Sequence, residues 1–265
     1  MKKNDGFLSG LMVGYLLTKK KAEPEKKSGC LDSLLGFVVF GVAVLIGMNF
    51  GAGGLVFAAI LCFVVIPLSI YYIKSQRIKK LKINQEVFDL YNDEKYTLAL
   101  EKALSITEKS PDIAYLIGLS FFNGLGCDLD YKKAFEYFKI GSTGNINAKA
   151  MYAYMLIEGI GFEQNIDLGK SLLLEASSKN NTLATLKVGE YQLNGAFTFE
   201  KDVQSAMKML RKAMDEGLPY AKYLVGVILL EGKDGVTQNK EQGLHLLKEA
   251  ADAGINQAID YLKNV

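Results

Sequence analysis

The side chains that most often do covalent or metal chemistry are scarce in this chain and poorly spaced for it. It has three cysteines and one histidine in 265 residues. Cys30, Cys62 and Cys127 form neither a metal-ligand set nor a disulfide framework, and the lack of paired cysteines fits a reducing cytosol. His245 has no serine or cysteine elbow nearby to build a catalytic triad. Adjacent carboxylates such as Asp215 and Glu216 read as solvated helix ends, because a catalytic carboxylate needs a pocket that perturbs it. No catalytic residue, metal site or cofactor is expected, and Cys127 reads as a small apolar plug in a loop. The chemistry left to such a chain is recognition, carried by aromatic, aliphatic and carboxylate side chains on whatever scaffold holds them.

That scaffold announces itself as a repeat. An opening position recurs as Ile113, Ala148, Ala184, Ala221 and Ala258, in steps of 35, 36, 37 and 37 residues. Four further columns keep the register: Gly118, Ala153, Gly189 and Gly226; Gly124, Gly159, Gly195 and Gly232; Asp130, Asn165, Asp202 and Asn239; and Asn145, Asn180, Gly217 and Gly254. A fixed period of this length is the signature of a stacked array. Each unit reads as a helix of about three turns ended by glycine, a loop, a second helix capped by Asp or Asn, and a stop at the fifth column. The glycine inside the first helix, which costs roughly 1 kcal/mol there, points to close helix packing. Ala134, Gly169, Ala206 and Gly243 supply the matching small column of the second helix.

These columns resemble the Sel1-like repeat, a glycine-rich relative of the tetratricopeptide repeat. The family pattern runs roughly A-x-x-x-L-G-x-x-Y-x-x-G-x-G, then an Asp cap, A-x-x-W/Y and A-A-x-x-G. The fourth unit carries it most fully, with Ala221, Val225, Gly226, Leu229, Gly232, Gly235, Asn239, Ala250, Ala251 and Gly254. The first matches through Gly118, Phe121, Gly124, Gly126, Asp130, Ala134 and Tyr137. Leu156 and Gln192 depart at the aromatic position, and the third unit has no second glycine soon after Gly195. The resemblance implies an all-α fold, an α-solenoid with four repeats over 113–257, a degenerate capping repeat over 84–112 and a cap helix over 258–265. In the capping repeat, Glu86–Tyr91 and Lys95–Glu108 are the expected helices.

By analogy with tetratricopeptide stacking, a concave wall should be lined by first-helix residues. The candidates are Tyr115, Leu119, Phe122, Tyr154, Ile157, Leu186, Tyr223 and Val227, with polar neighbours Asn123, Glu158, Glu190, Asn194 and Glu231. An apolar, aromatic groove rimmed by carboxylates suits a protein partner that presents a basic and apolar helix or peptide.

A second feature lies upstream. Residues 31–73 form an apolar block with a single charged residue, Asp32, and are broken in the middle by Gly51, Gly53 and Gly54. Their halves, 34–50 and 55–73, are each long enough to cross a bilayer core that needs about 20 residues. A two-span transmembrane helical hairpin is expected to precede the solenoid and to hold the lipid bilayer. Lysines 19–21, 26 and 27 precede it, and Lys74, Arg77, Lys79, Lys80 and Lys82 follow it as a basic juxtamembrane segment, 74–83, so both termini should be cytoplasmic. Within 1–30, Phe7–Leu17 reads as a short apolar helix at the membrane rather than a cleaved signal, because no small-x-small site follows it; a basic linker comes next. Residues 1–83 carry 12 Lys/Arg against 4 Asp/Glu, whereas 84–265 carry 19 against 25. The basic collar suits anionic head groups, and the acidic solenoid argues against nucleic acid, which needs a basic face.

The expectation is thus a multi-pass protein of the bacterial inner membrane that acts as a cytoplasmic adaptor or scaffold. One alternative is an immunity or regulatory partner of a secretion, toxin or defence system. Another is an oligomeric membrane assembly held together by its glycine-rich spans, a homo-oligomer merely decorated by repeats.

Overall fold

The computed structural model describes residues 65–232 and 235–264. The short N-terminal helix, the linker, the first span and most of the second lie outside those residues. The first described helix, α1 (Ile66–Asn92), is continuous through 74–83, and the expected short helix Glu86–Tyr91 forms its last turns. Its opening turns expose Leu68, Tyr71, Tyr72 and Ile73 to solvent. Among the described residues, no helix is long and apolar enough to cross a membrane. The chain divides between Glu86 and Val87, and the segment from Val87 onward forms one compact unit.

In that unit the helices alternate as first and second members of each repeat. After α2 (Tyr96–Ser105) come the pairs α3 (Pro111–Asn123) and α4 (Tyr131–Gly141), α5 (Ile146–Glu158) and α6 (Ile166–Ser178), α7 (Thr182–Asn194) and α8 (Val203–Asp215), and α9 (Pro219–Glu231) and α10 (Lys240–Asp252), closed by α11 (Asn256–Lys263). The punctuation is local chemistry. Each first helix ends on a left-handed glycine, Gly124, Gly159, Gly195 or Gly232, with φ between 60° and 68°. Each second helix starts where Asp130, Asn165, Asp202 or Asn239 accepts the backbone N–H three residues on, at 3.0 Å. A short side-chain oxygen there satisfies a donor that the helix itself leaves orphaned.

Two loops depart from the expected register. Asn180, Gly217 and Gly254 are left-handed, but Asn145 is extended at φ −113° and caps α5 by accepting from Ala148 N at 2.9 Å. Asn181 does the same for α7. Asparagine serves either as a left-handed stop or as a cap, and the column mixed the two roles. The third loop, which has no second glycine, instead takes Phe197 (φ 50°) and Thr198 (φ 64°) left-handed. Phe197 is held edge-on against Tyr191 with ring centroids 5.1 Å apart.

The small columns are close-packing seams. A Cβ on Gly118 would lie 2.6 Å from Cδ1 of Phe138 in α4. In the fourth unit Gly226 and Gly243 face each other, and a Cβ on either would come within 3.0 Å of the other's carbonyl oxygen. Burial is continuous along the array, from Val87 and Tyr91 through Phe138, Met151, Leu173 and Leu210 to Leu247 and Ile255.

Candidate protein-binding wall

The orientation of each first helix follows from its seam. In α5, Ala153 and Ile157 meet Gly169 of α6, while Tyr152 lies edge-on to Phe135 of α4 at 5.1 Å. At 100° per residue, Met151 and Met155 fall about 200° from Ala153 and so point away from α6. The corresponding positions are Leu116 and Ser120 in α3, Lys187 and Tyr191 in α7, and Leu224 and Ile228 in α9. These eight form the first-helix wall.

A polar network joins its helices. Lys187 is 6% exposed; its Nζ donates to Glu190 Oε2 at 2.8 Å and sits 4.9 Å from the Tyr154 ring centroid and 5.9 Å from that of Tyr191. Tyr191 donates from its hydroxyl to Glu158 Oε1 at 2.8 Å, and Tyr220 to Glu190 Oε1 at 3.2 Å. The network thereby spans α5, α7 and α9. Burial first, then the neighbouring carboxylates Glu158 and Glu190, push the Tyr191 and Tyr220 hydroxyls far above the usual phenol range. Both remain neutral donors. A buried lysine is tolerable only with such company, since an isolated buried charge is costly and a charge paired with a carboxylate between aromatic faces much less so. Asn123 adds an amide at the end of α3 whose Oδ1 and Nδ2 are both enclosed without a hydrogen-bond partner.

The structure redistributes the residues picked from sequence. Phe122 and Ile157 are not wall residues: Phe122 packs on Tyr131 and Phe138 of its own α4, and Ile157 on Gly169 of its own α6. Tyr115 and Leu186 are also core, with the Tyr115 ring 6.0 Å from Phe138 and Leu186 packed among Leu210, Ala221 and Val225. Tyr223 stacks on Tyr220 at 5.6 Å, and both Tyr223 and Val227 border the C-terminal cluster around Leu247 and Ala258. Leu119 is buried. Tyr154, Glu158 and Glu190 belong to the network, and Asn194 and Glu231 stand exposed at the helix ends. Sequence reasoning missed Leu116, Met151, Met155, Lys187 and Tyr191. The signal was present, because the small column marks the seam and the wall must lie two residues to either side of it.

Cys127 is half-buried, its Sγ 3.6 Å from the Ser120 carbonyl oxygen, and burial raises its thiol pKa. Among the described residues, no cluster of three or more His, Cys, Asp and Glu could hold a metal ion.

Comparison with known proteins agrees with this architecture. The Sel1 repeat model matches residues 111–145 and 146–181, and a model for plant tetratrico peptide repeats matches 192–256. The Sel1 match thus falls on the first two units, not on the fourth, where the pattern had looked fullest. A crystal structure of a Sel1 repeat protein from Oxalobacter formigenes superposes with a TM-score of 0.56 at 25% identity, over 67% of this chain and 73% of that one. A protective antigen of uropathogenic Escherichia coli with an SLR fold superposes with a TM-score of 0.52 at 22% identity, over 62% of this chain and 35% of its own, a likeness of fold alone. A Sel1-like repeat-containing protein of Schizosaccharomyces pombe is 33% identical over 85 residues, which is 31% of this chain and only 13% of the yeast protein. The class is therefore an all-α solenoid of tetratricopeptide-like repeats. Within that class, residues 111–181 match the Sel1 repeat, and repeats of this type generally mediate protein–protein interaction.

Proposed function

We propose that this protein is a membrane-anchored scaffold whose first-helix wall receives an apolar, basic helix or peptide from a protein partner. The observation that carries the reading is the edge of the wall, where the carboxylates Glu158 and Glu190 gather Lys187, Tyr191 and Tyr220 beside half-buried Leu224 and exposed Asn194 and Glu231. Such a surface matches helix-in-groove recognition, where a stripe of apolar anchors enters the groove and charges set its direction. Anchoring is supported by the order of side chains along α1. Exposed Leu68, Tyr71, Tyr72 and Ile73 are followed at once by Lys74, Arg77, Lys79, Lys80 and Lys82, the sequence expected where a chain leaves a bilayer through an aromatic belt into an anionic surface.

The test is affinity capture from solubilised membranes with the double variant Asn194→Arg and Glu231→Lys. Adding positive charge to the exposed rim is expected to cut partner recovery about tenfold and to change the salt dependence of association, with the circular dichroism unaltered. If that variant captures normally while Lys208→Glu with Arg211→Glu on the outer helix α8 loses the partner, the wall is not the binding surface.

A further inference from the structure

Apart from the wall, one surface of the array carries a charge opposite to its surroundings. The second helix α4 and the loop that follows α2 enclose an open groove of about 600 Å³ whose lining includes Lys109, Lys132, Lys133, Glu136, Tyr137 and Ile140. Three cations thus meet one carboxylate, in a stretch, 84–265, that is acidic as a whole. Two of the three are held in place. Lys109 is half-buried, its Nζ donating to the carbonyl oxygens of Ile106 at 2.8 Å and Leu104 at 3.4 Å. Lys133 pairs with Asp130 at 3.3 Å and lies 5.0 Å from the Phe121 ring centroid, yet its side chain is 60% exposed. Lys132 is exposed, and its ammonium meets no partner among the described residues. A cation in the first turn gains α4 no stability, because the helix dipole favours anions at that end. Beside the cations lie apolar side chains. The Tyr137 ring is backed by Phe121, stacked with centroids 6.0 Å apart, and Ile140 is 47% exposed. From Lys133 to Ile140 the two turns of α4 span about 11 Å, which three or four residues of extended chain would cover.

We propose that this groove is a second docking surface, and that it takes an acidic, extended segment of a protein partner in which carboxylates flank an apolar side chain. Charge complementarity selects the sign of the occupant, and Tyr137 with Ile140 supplies the apolar contact. A compact anion such as phosphate fits less well. It would need donors converging on one point, whereas Lys109 already serves two carbonyls, Lys133 already serves Asp130, and Glu136 adds a negative charge to the same lining. A segment whose charges are spaced along it can set carboxylates against the lysines and keep them from Glu136. The groove lies on a second helix, apart from the first-helix wall, and its sign is opposite to that of the wall's carboxylate edge. A scaffold built this way holds two partners of unlike charge, and the groove stands or falls independently of the wall.

The test is fluorescence anisotropy with the full chain in neutral detergent and a labelled Glu-Glu-Leu-Leu-Glu-Glu peptide, with Gln-Gln-Leu-Leu-Gln-Gln as its neutral counterpart. The acidic peptide is expected to bind and the neutral one to bind far more weakly. Lys132→Glu combined with Ile140→Ser should lower the affinity about tenfold, with circular dichroism unchanged. Lys208→Glu, which reverses one charge on the second helix α8, should leave it as it was. Should the double variant misfold, Lys132→Glu alone, on an exposed side chain, carries the same comparison. The proposal is overturned by no measurable binding of the acidic peptide, by equal binding of the neutral one, or by an equal loss on Lys208→Glu, which would mean that net charge alone is read. Displacement by inorganic phosphate as effectively as by unlabelled peptide would make the groove an anion site and overturn it too.

Discussion

Thr198 is the residue most at odds with its backbone. A β-branched side chain at φ 64° carries the left-handed penalty that glycine avoids, and the loops of the other units place Gly126, Gly161 and Gly235 left-handed after the first glycine. The Thr198 side chain is exposed, and only its carbonyl is engaged, accepting from Lys170 Nζ at 2.7 Å. Thr198→Gly should therefore stabilise the protein by roughly 0.5–1 kcal/mol, the relieved strain exceeding the entropy that glycine adds to the unfolded chain. A urea midpoint lower than that of the wild type would contradict this. Caps at this scale were legible in sequence because Asp130, Asn165, Asp202 and Asn239 act through atoms three residues away. The wall was not. Counting from Tyr115 put the phase near the α3–α4 seam and selected Phe122 and Ile157, which the close approach of the second helix buries.

At the level of elements, each repeat is two helices pressed together along a line of missing side chains. Gly118→Ala should cost about 1–3 kcal/mol, because the new methyl would meet the ring of Phe138, which is 0% exposed and has nowhere to move. Phe138→Leu should recover part of that loss in the same chain. The non-additivity, read from thermal or denaturant unfolding of the four proteins in the cycle, separates overpacking from a change in helix propensity. If the two substitutions simply add, Gly118 is not a packing position. The helix pairs were readable in advance because their period is set by the same small residues that let them touch. The continuity of α1 was less so. The leading unit lacks the glycine column, and its first helix merges with the lysine-rich turns upstream, leaving no breaker in the sequence between Pro67 and Asn92 to mark a start.

Over the whole molecule, burial passes from neighbour to neighbour, so stability should be distributed along the array. A fragment covering 84–265 should therefore be helical and unfold cooperatively in urea. A fragment that lacks helical circular dichroism would show that the repeats depend on what precedes them. The methionines of α5 add a chemical consequence. A thioether shielded by packing resists peroxide, whereas an uncovered one takes up oxygen and becomes a polar sulfoxide that no longer suits an apolar contact. Met151 and Met155, each 0% exposed, should thus resist mild peroxide for as long as the packing around α5 stays closed. The oxygen they gain under mild oxidant would record how often that packing opens, and enough of it would leave the core of the array unable to close again.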